Sequence, residues 1–158
     1  MNQPSPTTDI RRDLVALLPR LRRFALTLAG SGAEADELVR EAATRAIQKS
    51  HHWKGEGRIE NWLFSLIRTT WTDEQKKRRR AEHATAAKSD QDALRPLASV
   101  LSLPEGLASA VLLADVEDFT SVEAAAILGI TTELFSTRLC AARLSLAAAG
   151  SQTSERRA

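Results

Sequence analysis

The stretch Asn61–Arg80 decides the fold and reads Asn-Trp-Leu-Phe-Ser-Leu-Ile-Arg-Thr-Thr-Trp-Thr-Asp-Glu-Gln-Lys-Lys-Arg-Arg-Arg. Its apolar positions recur every three or four residues and predict a helix with one buried face: Trp62, Leu63, Leu66, Ile67 and Thr70. The five cations of Lys76–Arg80 follow on the same predicted helix. They must face water or a polyanion because isolated charges are costly to bury. A nucleic-acid strand suits these cations with Trp71 nearby, and a solvated helix end explains the same pattern.

The composition favours an all-α protein. The 158 residues include no Tyr, four Phe and three Trp, whereas Ala and Leu are abundant, which favours helices over sheets. The single cysteine, Cys140, excludes a disulfide framework and cysteine-rich metal sites. Its place in a helical stripe with Phe135 and Leu139 predicts a small buried hydrophobe, with a redox switch as the alternative.

The residues give little support to a metal site, an enzyme or a membrane protein. The histidines are the adjacent pair His51 and His52 and the distant His83; without a cysteine nearby, we expect no metal and no cofactor. A Gly-rich phosphate loop and a nucleophile with a partnered histidine are both missing, which argues against an enzyme. No apolar run approaches the roughly 20 residues of a membrane helix, and the N-terminus does not resemble a signal peptide. We therefore expect a cytoplasmic location and no membrane partner.

Charge is distributed unevenly along the chain. Residues 1–82 carry 16 Lys/Arg against 11 Asp/Glu, whereas residues 104–150 carry two Arg against six acids. The balance is +5 in the first segment and −4 in the second, although the whole chain has a net charge of +2. The two halves therefore face different electrostatic tasks.

Helix signals predict a first domain over 9–82 and a flexible, polar linker over 83–102. Pro19 either kinks the first helix or opens a second one, and Gly30 ends the stripe. Ser31 with Glu34 fits a capping box that starts another helix. The outer side of that helix carries predicted acid–base pairs at four-residue spacing: Asp36 with Arg40, and Glu41 with Arg45.

The second predicted domain, 103–150, has a short helix, a glycine turn and a longer helix. Its first helix starts near Pro104 and carries the apolar stripe Ala108, Val111, Leu112 and Val116. Thr120 can cap the short helix and Gly129 can end it, before a helix from Thr132 to Ala148. The apolar residues predicted for that helix are Leu134, Phe135, Leu139, Ala142, Leu144 and Leu146. This is the helix-turn-helix pattern, and a structural or dimerising three-helix unit is the alternative.

Two sets of motifs resemble the extracytoplasmic-function (ECF) sigma factors of the sigma-70 family. Asp36-Glu-Leu-Val-Arg-Glu41 and Trp62-Leu-Phe-Ser-Leu-Ile-Arg68 with Asp73 resemble region two of that family. The stretches that resemble region four are Leu103-Pro104-Glu105, Asp115-Val-Glu117, Glu123-Ala-Ala-x-Ile-Leu-Gly129 and Ser136-Thr-Arg-Leu139. The match spans roughly residues 10–148, and the opening of the chain looks most like the alphaproteobacterial general-stress group.

The resemblance implies a sigma factor that binds core RNA polymerase and directs promoter recognition and DNA-template transcription initiation. The residues that would bind the polymerase clamp are Asp36, Glu37, Leu38, Val39, Arg40 and Glu41. Those that would hold the −10 element are Trp53, Lys54, Arg58, Arg68, Trp71, Lys76, Lys77, Arg78, Arg79 and Arg80. Those that would contact the −35 promoter DNA are Thr132, Ser136, Thr137, Arg138 and Arg143. Trp62 is expected in the core, and an anti-sigma factor is a further implied partner.

The chain departs from the family pattern at several of these positions. Arg40 stands where the family has Gln, and Thr69 stands where it has Asn. In the recognition helix two expected cations are Ser136 and Ala141. Glu133 near the start of that helix repels the phosphate that such a helix end attracts. We therefore expect the second domain to bind DNA weakly.

Two functions stay open. In the first, the chain is a working sigma factor whose polymerase and −10 contacts compensate for a weak −35 contact. In the second, it is a sigma-like decoy that sequesters an anti-sigma factor without initiating transcription. The basic run Lys76–Arg80 favours the first function, whereas the acidic second domain favours the second.

Overall fold

The computed structural model describes residues 6–53, 55, 57–84 and 106–155, which are helical with no strand among them. The helices are α1 (Pro6–Leu28), α2 (Gly32–Gln48), α3 (Ile59–Ala84), α4 (Leu107–Val111), α5 (Ser121–Leu128) and α6 (Thr132–Glu155). A 3-10 helix covers Ser50–His52, and a π-helical turn over Leu112–Val116 continues α4. The predicted all-α class is confirmed.

The chain divides into two compact units, Met1–Ala93 and Leu94–Ala158. The predicted domain limits, 9–82 and 103–150, stay a prediction. Most of the predicted linker, from residue 85 onward, lies outside the described residues, as do Leu103, Pro104 and Glu105. At the N-terminal end of the predicted linker, α3 continues to Ala84, so residues 83 and 84 belong to the helix.

In the first unit α1, α2 and α3 pack against one another. Phe24 of α1 and Phe64 of α3 are fully buried, and their rings meet with centroids 5.3 Å apart. The predicted buried face of α3 is confirmed at Leu63, Leu66, Ile67 and Thr70. Trp62 is only half-buried, so the expectation of a core tryptophan there was wrong. Phe64 fills the core position instead.

Local signals set the helix ends of the first unit. Pro19 lies inside α1, which is one helix from Pro6 to Leu28. The Ser31 side chain accepts a hydrogen bond from the Glu34 N–H at 3.2 Å, as a helix cap does. The Glu34 carboxylate accepts from the Gly30 N–H at 3.1 Å. This N–H belongs to the residue before the cap, so the predicted capping box is present in its first half.

In the second unit the short helix α5 has the caps that the sequence predicts. Thr120 and Glu123 form a complete capping box, and Gly129 ends the helix in the left-handed conformation with φ of 66°. Ala124, Ala125, Ile127 and Leu128 of α5 are buried, and so are Phe135, Leu139 and Ala142 of α6. The predicted helix-turn-helix pattern is therefore formed by α5 and α6.

Four side chains of the second unit are exposed against expectation. Val116 is 55% exposed, because the π-helical turn shifts the register of the stripe that α4 begins. Leu144 is 67% exposed and Leu134 is 42% exposed. Cys140 is exposed as well. On an α-helix, Leu144 and Cys140 lie about 180° and about 140° around the axis from buried Phe135, so neither can share its face.

Among the described residues no single helix is long and apolar enough to cross a membrane. Ser121–Leu128 and Thr132–Ser151 meet the length and composition of a span only when taken together, and they are bent by 100° at their junction.

Candidate nucleic-acid interface

The basic run of α3 divides between two sides of the helix. Lys76, Arg79 and Arg80 are exposed, and by helical spacing they lie away from the buried face that includes Ile67. No described residue forms a hydrogen bond or an ion pair with these three cations. They form an unneutralised surface that can meet a phosphate backbone. We call them the outward cations.

The other two cations are engaged within the unit. Arg78 donates a hydrogen bond from Nη1 to Glu34 Oε1 of α2 at 2.7 Å. Its guanidinium carbon also lies 5.9 Å from the centre of the Trp71 ring, within the range of a cation–π contact. Lys77 Nζ donates to Glu74 Oε1 on the same helix at 3.0 Å. Two cations of the predicted DNA-binding set, Lys77 and Arg78, are therefore paired within the unit, unlike the outward cations.

The aromatic residues predicted for the −10 strand are half-buried. Trp53 stacks on Trp62 with ring centroids 5.8 Å apart and an interplanar angle of 28°. The stacked pair lies at the start of α3, whereas Trp71 lies at the middle of the helix. Each tryptophan keeps part of its surface accessible, which a base-stacking role requires.

The remaining residues predicted for the −10 strand lie in or near the loop before α3 and on α3. Arg58 is exposed, with Nε 3.8 Å from Glu60 Oε2. Arg68 donates to the Thr72 hydroxyl on its own helix. Lys54 lies outside the described residues.

The loop before α3 needs its glycines for backbone shape. Gly55 and Gly57 have φ of 75° and 78°, values that side-chain-bearing residues rarely adopt. A Cβ atom at either position would meet no atom within 4 Å, so space is not the constraint.

The surface of α2 predicted to meet polymerase is acidic and internally paired. Asp36 accepts from Arg22 Nε of α1 at 2.6 Å. The Arg22 hydrogen bond lowers the pKa of Asp36, and the same bond raises the pKa of Arg22. Arg40 pairs with Glu37 three residues away. The predicted pair of Asp36 with Arg40 is therefore wrong, because α1 packs beside α2 and supplies a closer cation.

The apolar residues of that predicted surface lie deeper. Leu38 is 4% exposed, and Val39 is half-buried. Glu41 accepts from Arg45 Nε at 3.0 Å, so this predicted four-residue pair is confirmed.

Arg45 also connects α2 to α3. Its Nη1 lies 2.9 Å from Asp73 Oδ2, and the Asp73 hydrogen bond is the main cause that raises the pKa of Arg45. Helical spacing does not reveal this pair, because the two residues are 28 positions apart and no local pattern connects them. The pair therefore adds a contact between α2 and α3.

In the second unit one arginine of α6 is ion-paired and the other is half-buried beside Gly106. Arg143 donates to the two carboxylate oxygens of Asp115 at 2.5 and 3.1 Å. This bidentate bond lowers the pKa of Asp115 and raises that of Arg143. Arg138 is half-buried, and its guanidinium lies 3.0–3.4 Å from where a Cβ of Gly106 would stand.

The hydroxyl residues predicted for the −35 contact differ in their freedom. Thr132 and Ser136 are exposed. The Thr137 hydroxyl donates to the Glu133 backbone oxygen at 3.0 Å within α6.

Among the described residues no group of three or more His, Cys, Asp or Glu side chains could hold a metal ion.

Known proteins similar to this chain include sigma factors. The Sigma-70 region 2 family model matches residues 14–81. The ECF RNA polymerase sigma factor EcfG of Rhodopseudomonas palustris (strain TIE-1) is 31% identical over 156 residues, which is 90% of this chain and 86% of that protein.

Two solved structures share the fold. One is the sigma factor RpoE in complex with the anti-sigma factor NepR from Bartonella quintana, with a TM-score of 0.74 and 24% identity over 87% of this chain and 94% of that chain. The other is CnrH in complex with the cytosolic domain of CnrY, with a TM-score of 0.62 and 20% identity over 93% of each chain. The curated relative is similar along nearly the whole chain, and the matched region is the one whose helices carry the outward cations. The chain therefore belongs to the ECF RNA polymerase sigma factors and has a role in transcription initiation.

Proposed function

We propose that this sigma factor binds core RNA polymerase through α2 and holds the opened −10 strand of promoter DNA along α3. The observation that carries the proposal is the surface of the outward cations Lys76, Arg79 and Arg80. All three are exposed, and they continue a helix whose other face is buried in the core. A cationic surface held on a rigid helix suits a phosphate backbone. A site for DNA and polymerase also implies a cytoplasmic location and a non-enzymatic role.

The polymerase contact is proposed for Asp36, Glu37, Arg40 and Glu41. Leu38 is buried and Val39 is half-buried, and both are proposed to hold α2 in place. Asp36 and Glu37 are exposed carboxylates, so a basic partner surface would find complementary charge there. Their present partners, Arg22 and Arg40, are exposed as well. Exposed ion pairs are weak and exchange readily, which lets a partner compete for the carboxylates.

The −10 contact is proposed for two patches on or near α3. Trp53, Lys54 and Arg58 precede the helix in the sequence, whereas Trp71 lies at its middle and the outward cations on its second half. From Ile59, the residue after Arg58, to Lys76 the helix rises by about 26 Å, a length over which several unstacked nucleotides can run. Aromatic surfaces for bases and cations for phosphates then alternate along one strand.

The −35 contact is proposed to be weak. Arg143 is already paired with Asp115, so phosphate must compete with that carboxylate. The start of α6 also carries exposed Glu133, which repels phosphate. Under this proposal promoter selection depends chiefly on the first unit.

A decoy function remains the second candidate, and the pairing of Arg143 with Asp115 favours it. A decoy that sequesters an anti-sigma factor has no need of a DNA-binding recognition helix. An anti-sigma factor is a proposed partner under either function, since the RpoE structure that resembles this chain contains one. The outward cations of α3 favour the sigma factor, because a decoy has no use for a phosphate-binding surface.

Single-round transcription with purified core polymerase separates the two candidates. The test variant replaces Lys76, Arg79 and Arg80 by alanine, and the control variant replaces the exposed cations Arg11, Arg12 and Lys49 by alanine. Both variants lose three positive charges, but only the first loses the outward cations. We expect the test variant to bind core polymerase and to fail to open promoters, whereas the control retains both activities. Normal opening by the test variant would contradict the role assigned to α3. A wild-type chain that yields no protein-dependent transcript would favour the decoy.

A further inference from the structure

The segment Leu112–Phe119 connects α4 to α5 through a turn that contains one residue more than an α-helical turn. The Leu112 N–H donates to the Ala108 backbone oxygen, four residues back, as in an α-helix. The Glu117 N–H instead donates to the Leu112 oxygen, five residues back, at 2.9 Å. Such π-helical turns are rare, and many of those known lie at functional sites. We call Leu112–Phe119 the π segment.

The burial of two neighbouring side chains in the π segment is the reverse of what their chemistry favours. Val116 is 55% exposed, whereas Glu117 is 5% exposed. An exposed valine gains nothing from the hydrophobic effect, and burying a carboxylate costs free energy even where it has a partner. Asp118 adds a further cost, because its φ of 58° lies in the left-handed region that residues with a side chain rarely adopt. Another contact must therefore stabilise the π segment in this arrangement.

The ion pair of Asp115 with Arg143 is the contact that can do so. Arg143 donates to both carboxylate oxygens of Asp115, at 2.5 and 3.1 Å, and so connects the π segment to α6. Bidentate pairs of this kind are among the strong hydrogen bonds of proteins. Asp115 lies inside the π-helical turn, so the direction of its side chain depends on the register of that turn.

An α-helical register of the same segment would reverse the burial and break the ion pair. Because the π turn contains one extra residue, its conversion to an α turn would place each later side chain where its successor lies now. Val116 would take the buried place of Glu117, and Glu117 would take the exposed place of Asp118. Asp115 would take the exposed place of Val116, away from Arg143. Apolar burial therefore favours the α register, whereas the ion pair favours the π register.

We infer that the π segment is a switch between two registers and controls whether Arg143 is available to phosphate. In the closed π register Asp115 holds Arg143. In the open α register Val116 is buried and Arg143 is released. Phosphate that captures Arg143 removes the contact that favours the closed register, so DNA selects the open one. This coupling to DNA rests on the proposed −35 contact.

The test follows the exposure of position 116 through the reactivity of a thiol placed there. The full chain carries Cys140→Ser, which removes its one cysteine, and Val116→Cys, which supplies the thiol for alkylation by iodoacetamide. Asp115→Asn breaks the ion pair, and Glu133→Gln is its control because it removes another exposed carboxylate of the same unit. We expect Asp115→Asn to slow alkylation at least about twofold, the change produced when half of the molecules switch. Glu133→Gln should leave the rate unchanged.

Val122→Cys in the same Cys140→Ser chain is the control for position. Val122 is 68% exposed and lies on α5, outside the π segment, so Asp115→Asn should not change the alkylation rate there. An unchanged or faster rate at position 116, or equal slowing at both positions, would overturn the switch. Circular dichroism spectra check that each variant keeps the helical content of the wild type.

Addition of a DNA duplex of about 30 base pairs separates this inference from the proposed function. We expect the duplex to slow alkylation at position 116 more than at position 122, without any change at Asp115. If Asp115→Asn slows alkylation and no form of the chain binds the duplex, the register switch holds and the proposed −35 contact fails. If the duplex binds and position 116 is slowed no more than position 122, the coupling fails while the proposed contact stands.

Discussion

Replacing Asp115 by asparagine should release Arg143 and so give the second unit one additional contact with DNA. Asp115 holds Arg143 through two hydrogen bonds of 2.5 and 3.1 Å. Asparagine keeps the size of the side chain but lacks the charge that fixes the guanidinium. Arg143 is exposed on α6, so once released it can reach a phosphate of a bound duplex.

The size of the effect follows from counterion release. Each phosphate contact with duplex DNA contributes a slope of about −0.9 to the dependence of log affinity on log salt. One added contact is therefore worth about eightfold in affinity at 0.1 M salt relative to 1 M salt. We expect Asp115→Asn to bind a fluorescein-labelled duplex of about 30 base pairs more tightly by up to this factor, with a slope steeper by about 0.9. Fluorescence anisotropy over a series of KCl concentrations measures both quantities.

Asp118→Asn is the matched control for this prediction. Asp118 is exposed in the same segment and has a positive φ of 58°, a conformation that asparagine adopts readily. The control removes the same charge without releasing an arginine, so we expect its salt slope to stay that of the wild type. Equal slopes for the two variants would show that Arg143 is not the limiting group, and would refute the idea that its capture by Asp115 weakens −35 binding.

Further predictions concern the stability of each unit. All three tryptophans lie within residues 53–71, so urea unfolding followed by tryptophan fluorescence reports on the first unit. Phe64→Leu should lower the unfolding free energy of that unit by about 1–2 kcal/mol, because it removes the ring contact with Phe24; an unchanged midpoint would contradict the packing. Thr70→Val should raise that free energy by about 1 kcal/mol, because Thr70 Oγ1 is buried without a hydrogen-bond partner among the described residues; a loss would mean that the hydroxyl has one. Arg45→Met should lower it by about 1 kcal/mol through loss of the Glu41 and Asp73 contacts, and Arg11→Met at an exposed position of α1 serves as its control. The pKa values of Asp36 and Asp115 lie below their ordinary value when the chain is folded. The unfolded chain therefore binds more protons below about pH 4, and stability rises with pH there and is lost as pH falls. Asp36→Asn in the first unit and Asp115→Asn in the second should each flatten this acid limb in circular dichroism, and an unchanged limb would contradict the pairing.

The sequence predicted what depends on neighbours within one turn of helix. The caps at Ser31 and Thr120, the stop at Gly129 and the pair of Glu41 with Arg45 all involve residues at most four positions apart. Such signals act before any tertiary contact forms, so spacing alone reveals them. The all-α class followed for the same reason, since hydrophobic periodicity is a local property.

The sequence could not predict which charged side chains meet across helices. In the first unit, the long-range ion pairs near the candidate site include three at separations of 14, 28 and 44 positions: Arg22 with Asp36, Arg45 with Asp73, and Arg78 with Glu34. Each depends on how two helices are rotated against one another, and that rotation is set by core side chains such as Phe24 and Phe64. The expected pair of Asp36 with Arg40 failed because a competing cation came from another helix.

Net charge alone also does not describe how the two units differ in their ability to bind DNA. The first unit carries many acids, yet its outward cations Lys76, Arg79 and Arg80 remain unpaired among the described residues. Between residues 106 and 155 the cations are Arg138 and Arg143, and each guanidinium already lies against its own unit. Affinity for a polyanion depends on cations that can contact phosphate, because only those release counterions from DNA. Under the proposed function, the unit that carries the outward cations is therefore the one that holds the promoter strand, and the other unit adds a contact only where phosphate displaces Asp115 from Arg143.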